Sequence, residues 1–215
     1  MAQMVIQRKP EWKEAWKTLK KKRLMEAVFQ VCGRQGFTGL TMDNVALQAG
    51  VAKGTLYGYF KNKQDLVKCA LEASITPLVR ELRQLLNSDL PPERKLRQMT
   101  LRHLTYFEEH RSFFRMFLYD RQAAQERARR YKSSLYQEFL EATAGVVKDG
   151  MNQGVFRRGD CLKVAAMLIE ANIAMINRRL VAENPGPVEH DAHLLSDIFL
   201  FGIVAEPLRK KRKES

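Results

Sequence analysis

The chain has 215 residues, 45% of them hydrophobic and 28% charged, and a formal net charge of +13. That composition fits a soluble globular protein with a sizeable core. No apolar run reaches the roughly 18 residues of a membrane span, and the opening "MAQMVIQRKPEW" lacks the long apolar stretch of a secretory leader. Three cysteines, Cys32, Cys69 and Cys161, are odd in number and far apart, which fits reduced thiols and a cytoplasmic location.

The apolar spacing is helical throughout. Trp12, Ala15, Trp16 and Leu19 follow Pro10 at a favourable helix start, and "KKKR" at 20–23 interrupts them. Leu24, Ala27, Val28 and Val31 resume the pattern until Gly36. Thr41 is a good N-cap for a short helix that Gly50 ends. A third helix is expected from about Lys53 to Phe60, and a fourth from about Gln64 to Leu86. After the punctuated loop "SDLPPERK", helices are expected over 93–109, 112–119 and 122–150. "GMNQGVFRRGD" breaks the pattern before a strongly apolar helix with Ile169, Ile173, Ile176 and Leu180. "ENPGPVEHD" breaks it again, and a last helix runs to about Glu206. The fold class is all-α, with about nine helices and no convincing strand.

The charge is unevenly spread. Residues 1–70 hold thirteen Lys/Arg against five Asp/Glu, residues 71–206 nineteen against eighteen, and the tail 207–215 five against one. A basic front on a nearly neutral body suits a polyanion partner. The division expected is a basic extension over 1–23, a short helical domain over 24–70, a longer helical domain over 71–206 and a basic tail over 207–215. Lys20, Lys21, Lys22 and Arg23 either reach the polyanion's backbone or minor groove or form a solvated run. The tail either binds a polyanion or only aids solubility.

The stretch "KGTLYGYFKNK" carries the chemistry. On a helical wheel Leu56 and Phe60, four apart, face inward. Gly54 and Gly58 leave the opposite side bare, with Lys53 and Tyr57 on one rim and Thr55 and Tyr59 on the other. Glycine costs a helix about 1 kcal/mol relative to alanine, so two of them need a reason. A bare face lets the helix backbone approach another surface, and rims of hydrogen-bond donors suit a DNA major groove. The free N–H groups of the helix N-terminus favour phosphate. Two short helices joined at Gly50 make a helix-turn-helix.

With those residues in view, "LTMDNVALQAGVAKGTLYGYFKNKQDLV" resembles the DNA-binding domain of the tetracycline-repressor (TetR) family of bacterial transcription regulators. The resemblance is dense over roughly residues 24–68 and, beyond them, extends only to length, helix content and the two apolar last helices. It implies an all-α homodimer on a pseudo-palindromic double-stranded DNA operator. By resemblance Thr41 caps its helix and meets a phosphate, and Lys53, Gly54 and Thr55 begin the recognition helix. Tyr57, Tyr59 and Lys63 bind phosphates. Where some members carry a basic or polar base reader, this chain has Asp43, which either accepts from a cytosine N4 or favours the helix N-terminus.

Residues 71–206 show no catalytic constellation and no phosphate loop, so no enzyme activity, cofactor or metal is expected. His190 and His193 are three apart but have no third ligand nearby. Tyr106, Phe107, Phe114, Phe117 and Met167 are candidates to line a cavity for a small apolar or aromatic effector, although an aromatic stripe also serves as plain core. Ile169, Ile173, Ile176, Leu194, Leu195, Ile198, Phe199 and Phe201 are candidates for a four-helix dimer interface, the alternative being burial within one chain. The reading is a ligand-responsive repressor. Competing readings are a DNA-organising or partner-recruiting protein with no effector, a helical enzyme, and a thiol sensor.

Overall fold

A computed structural model of the chain describes residues 11–36, 38–118 and 134–203. Among the described residues there are nine helices and no strand. They are α1 (Glu11–Gln35), α2 (Met42–Ala49), α3 (Lys53–Tyr57), α4 (Lys63–Leu86), α5 (Pro92–Glu109), α6 (Arg111–Leu118), α7 (Ser134–Asn152), α8 (Cys161–Val181) and α9 (Val188–Ile203). The all-α class read from the spacing is the observed one. The basic run at 20–23 does not interrupt α1, because lysine and arginine are good helix formers and lie exposed on its surface. The expected extension is therefore, from Glu11 onward, the first half of α1. Residues 122–133 of an expected helix and the basic tail lie outside the described residues.

The chain divides into two compact units, Met1–Ala73 and Ser74–Ser215. The division falls inside α4, three residues beyond the expected end of the first domain at 70. Pro77, the residue four past Ala73, sits within α4. Proline has no N–H, so the Ala73 carbonyl lacks its usual intrahelical partner at the boundary.

In the first unit, α1 buries Leu24, Met25, Ala27, Val28 and Val31, α2 buries Met42, Val45 and Ala46, and α4 buries Leu66, Val67 and Ala70. In the second unit, one apolar cluster gathers Leu82, Leu86, Leu96, Met99, Phe139, Val147, Leu168 and Ile169. Another joins Leu104, Phe114, Ile176, Leu180 and Ala192. Gly150 allows this packing, since a Cβ there would meet the Phe156 ring at 2.2 Å.

Two polar features sit in that apolar setting. Arg179 is buried, yet fully engaged. Its Nε donates to Glu108 at 3.0 Å, and its terminal nitrogens donate to Asp191 and to the carbonyls of Pro185 (3.3 Å) and Gly186 (2.9 Å). Arg111 donates to the Ala182 carbonyl beside it. One guanidinium thus ties the end of α5 to the end of α8, the following loop and the start of α9. Elsewhere Thr100, His103 and Asn172 are buried, and Thr100 Oγ1, His103 Nδ1 and both amide atoms of Asn172 have no hydrogen-bond partner among the described residues.

Burial lowers the His103 pKa from 6.5 to about 4. Its ring lies among Phe107 and Phe139, with centroids 5.7 and 5.8 Å away. Between those two pH values the unfolded chain binds the proton more readily than the folded one. The linkage therefore makes stability fall as pH drops through the window from 6.5 toward 4. At pH 5 this residue alone is expected to cost about 2 kcal/mol. Urea melts at pH 7.5 and 5.0 check it. A His103→Gln variant should lose less stability between the two pH values than the wild type, and an equal loss would remove His103 as the cause.

Candidate nucleic-acid interface

The interface is built on α2, the turn after it, and α3. Thr41 has extended backbone and its Oγ1 accepts the Asn44 N–H at 3.1 Å, so it caps α2 as expected. The Asn44 side chain donates to the Gly39 carbonyl at 2.8 Å and to Gln35 at 3.0 Å, which fastens the start of α2 to the end of α1. At the far end Gly50 takes φ 65°, the left-handed region. The Gly50 N–H donates to Leu47 at 3.1 Å and the Val51 N–H to Ala46 at 3.0 Å, closing the last turn and sending the chain into α3.

Helix α3 is shorter than the spacing predicts, ending at Tyr57 instead of Phe60. The Gly58 N–H is shared between Gly54 at 3.1 Å and Thr55 at 3.2 Å, and the Tyr59 N–H bonds three residues back to Leu56 at 3.0 Å, which tightens the exit into a turn. The inward pair is as expected: Leu56 and Phe60 are 0% and 1% exposed. Gly54 is exposed, and a Cβ there would meet nothing within 4 Å, so its missing side chain bares the outer face. Gly58 answers to a local constraint instead, because a Cβ would lie 3.2 Å from the Thr55 carbonyl. Lys53 and Tyr57 are exposed, and Thr55 and Tyr59 half-buried. Lys63 occupies the first turn of α4. That helix starts with a reciprocal cap: Asn62 accepts from the Asp65 N–H at 2.9 Å, and Asp65 accepts from the Lys61 N–H at 3.1 Å.

Sequence reasoning missed one contact. Lys53 Nζ lies 2.6 Å from Asp43 Oδ1, both side chains being exposed. The hydrogen bond and charge of Asp43 raise the Lys53 pKa, so the ammonium is held in its charged form. The signal available was that Asp43 and Lys53 open consecutive short helices meeting at one tight turn.

The comparisons with known proteins agree with this geometry. The model described as "Bacterial regulatory proteins, tetR family" matches residues 24–70, and the one described as "Tetracyclin repressor-like, C-terminal domain" matches residues 89–177. The chain belongs to the TetR family. It is 24% identical to the HTH-type transcriptional regulator YhgD of Bacillus subtilis over 73% of this chain and 82% of that one. It is 20% identical to the fatty acid metabolism regulator protein of the same organism, over 70% and 78%. The solved structure of the transcriptional regulator FadR from Bacillus subtilis, in complex with stearoyl-CoA, shares the fold with a TM-score of 0.68, 16% identity, and coverage of 85% and 98%. This TetR-family chain is thus a DNA-binding transcription regulator.

The second unit places the remaining candidates. Tyr106, Phe107 and Phe114 come together, with Phe107 and Phe114 ring centroids 4.3 Å apart; Phe114 is buried and the other two are half-buried against the same cluster. Met167 is 65% exposed on α8. The Phe117 side chain lies outside the described residues. Ile169 and Ile176 are 1% and 3% exposed within their own chain, so both are withdrawn from the candidate dimer surface. Ile173 and Phe199 are partly buried against the first cluster, and Leu195 is half-buried. Leu194, Ile198 and Phe201 remain exposed, at positions that share one side of α9.

A groove of about 550 Å³ lies between α4 and α7, where no local pattern announces it. Arg80, Arg83, Gln84 and Asn87 face Leu135 and Glu138 across it, with Arg83 bonded to Glu138 at 2.7 Å. Its lining mixes these charged and amide side chains with the apolar Val79 and Leu135, and none of the expected effector residues belongs to it.

Among the described residues no group of three His, Cys, Asp or Glu is placed to hold a metal ion, and no helix is long and apolar enough to cross a membrane. The thiol-sensor reading loses support, since burial pushes the Cys32 thiol up to about 11 against the opposing charge of Lys63, and burial raises Cys69 as well.

The Gly50 turn sets the angle of the reader. With nothing within 4 Å of a Cβ there, the cost of a side chain is purely that of left-handed backbone. Gly50→Ala should destabilise the protein by about 1–2 kcal/mol, and Gly50→Asn by less. Chemical denaturation checks the order, and equal stability of all three forms would remove the constraint.

Proposed function

We propose that this regulator represses transcription as a homodimer on a pseudo-palindromic operator and releases it when a small effector with an apolar body binds the second unit. The observation that carries the reading is the bare, donor-rimmed α3 held by Leu56 and Phe60. Thr41, Tyr57, Tyr59 and Lys63 then bind phosphates, while Lys53, Gly54 and Thr55 lie against base edges. Two such helices about one DNA turn apart need a dimer, and the exposed stripe Leu194, Ile198 and Phe201 on α9 supports that face as the contact.

The effector class rests on the relatives. Two of them are a fatty acid metabolism regulator and FadR bound to stearoyl-CoA, so a long-chain acyl-CoA is the first ligand to test. An effector dissociates the complex only if it binds the DNA-incompetent form more tightly. The alternative is a DNA-organising protein without an effector, and the packing of Tyr106, Phe107 and Phe114 on one another favours it. Operator release on titration with acyl-CoAs of increasing chain length separates the two. Release supports the repressor reading, and indifference to acyl chains together with a panel of apolar and aromatic compounds supports the alternative.

The phosphate role of Lys63 has its own signature. Lys63→Ala should weaken binding to all sequences alike and flatten the salt dependence by about one unit per lost contact. A salt titration with an unaltered slope would remove Lys63 from the interface.

A further inference from the structure

The 2.6 Å contact between Lys53 and Asp43 is more than a surface ion pair, because of where it sits. Asp43 is in the first turn of α2 and Lys53 begins α3, so a donor and an acceptor stand side by side at the edge of the bare helical face. Asp43 is not needed as a cap, since Thr41 already accepts the Asn44 N–H. A carboxylate at a DNA surface is repelled by phosphates, and a base amino group in the major groove is the donor it can accept from there.

From this geometry we infer that Asp43 and Lys53 act as one two-headed reader of a single G·C base pair, the ammonium donating to guanine and the carboxylate accepting from the paired cytosine. The inference rests on the DNA-binding reading above. In the major groove guanine presents N7 and O6 as acceptors, and its cytosine presents N4–H₂ as a donor. O6 and N4 are themselves hydrogen-bonded, about 2.9 Å apart. The separation of the protein heads matches this spacing, and their order is complementary. C·G and A·T pairs present the reverse order. A T·A pair keeps the order but puts a methyl group beside its acceptor and lacks guanine's second acceptor on that side. The pair therefore selects guanine on one strand. Asp43 also sets a penalty on every base pair that offers no amino group at that place, which is specificity by repulsion as well as attraction.

The test compares wild type, Asp43→Asn and Lys53→Gln in selections from a random duplex pool. Each is then titrated on the wild-type consensus, on its single-base-pair variants and on scrambled DNA. The wild type should show one G·C position per half-site where C·G or A·T costs about five- to a hundredfold in affinity. Asp43→Asn should lose most of that preference and bind scrambled DNA more tightly than the wild type. Lys53→Gln should lose preference at the same base pair. If the wild type selects a consensus but the two variants alter different positions, or Asp43→Asn alters none, the inference is overturned while DNA reading stands. A wild type that selects nothing overturns the DNA reading itself.

Discussion

A five-residue helix cannot hold itself. Nucleation fixes several residues for a single hydrogen bond, and helices this short are unstable in water. Everything the first unit offers to a partner therefore depends on Leu56 and Phe60 being driven out of water. Full burial of such side chains contributes about 1.5–3 kcal/mol each, more than Gly54 on the outer face removes. The anchor and the bare face are two sides of one arrangement: the inner residues supply the stability that lets Gly54 go without a side chain.

The same constraint explains what was legible. Leu56, Phe60, the Thr41 cap and the Gly50 turn each obey a local rule, so period and capping chemistry sufficed to place them. The end of α3 did not follow, because Gly58 and Tyr59 choose between helix and turn through hydrogen bonds that differ by one residue in reach. In the second unit the apolar helices were readable as helices, but their faces were not. Ile169 and Ile176 resemble Ile198 in the sequence, and only the neighbouring helices decide that the first two are core and the third is exposed. The groove beside Arg83, and the buried atoms of Thr100, His103 and Asn172 that have no partner among the described residues, had no local signature, since they arise from residues on different helices.

Charge is placed differently along the chain. The first unit carries exposed lysines on α1 and a donor-rimmed α3, and its exposed carboxylate Asp43 faces a lysine. Residues 71–206 are close to electrically balanced, with nineteen Lys/Arg against eighteen Asp/Glu, and ion pairs there join helices to one another. Arg83 bonds Glu138, Arg97 bonds Asp197, and Arg102 bonds Glu81. Such exposed pairs contribute little to stability, but they fix which helix neighbours which.

Arg179 is different in kind. Its guanidinium serves two carboxylates and two carbonyls at once, in a buried site. A lysine carries the charge but not the planar fork, so charge conservation alone does not preserve the arrangement. Redesign of this unit for a new small molecule is therefore freest among the apolar residues of α5, α7 and α8. The knot at the chain reversal between α8 and α9 has to be inherited whole.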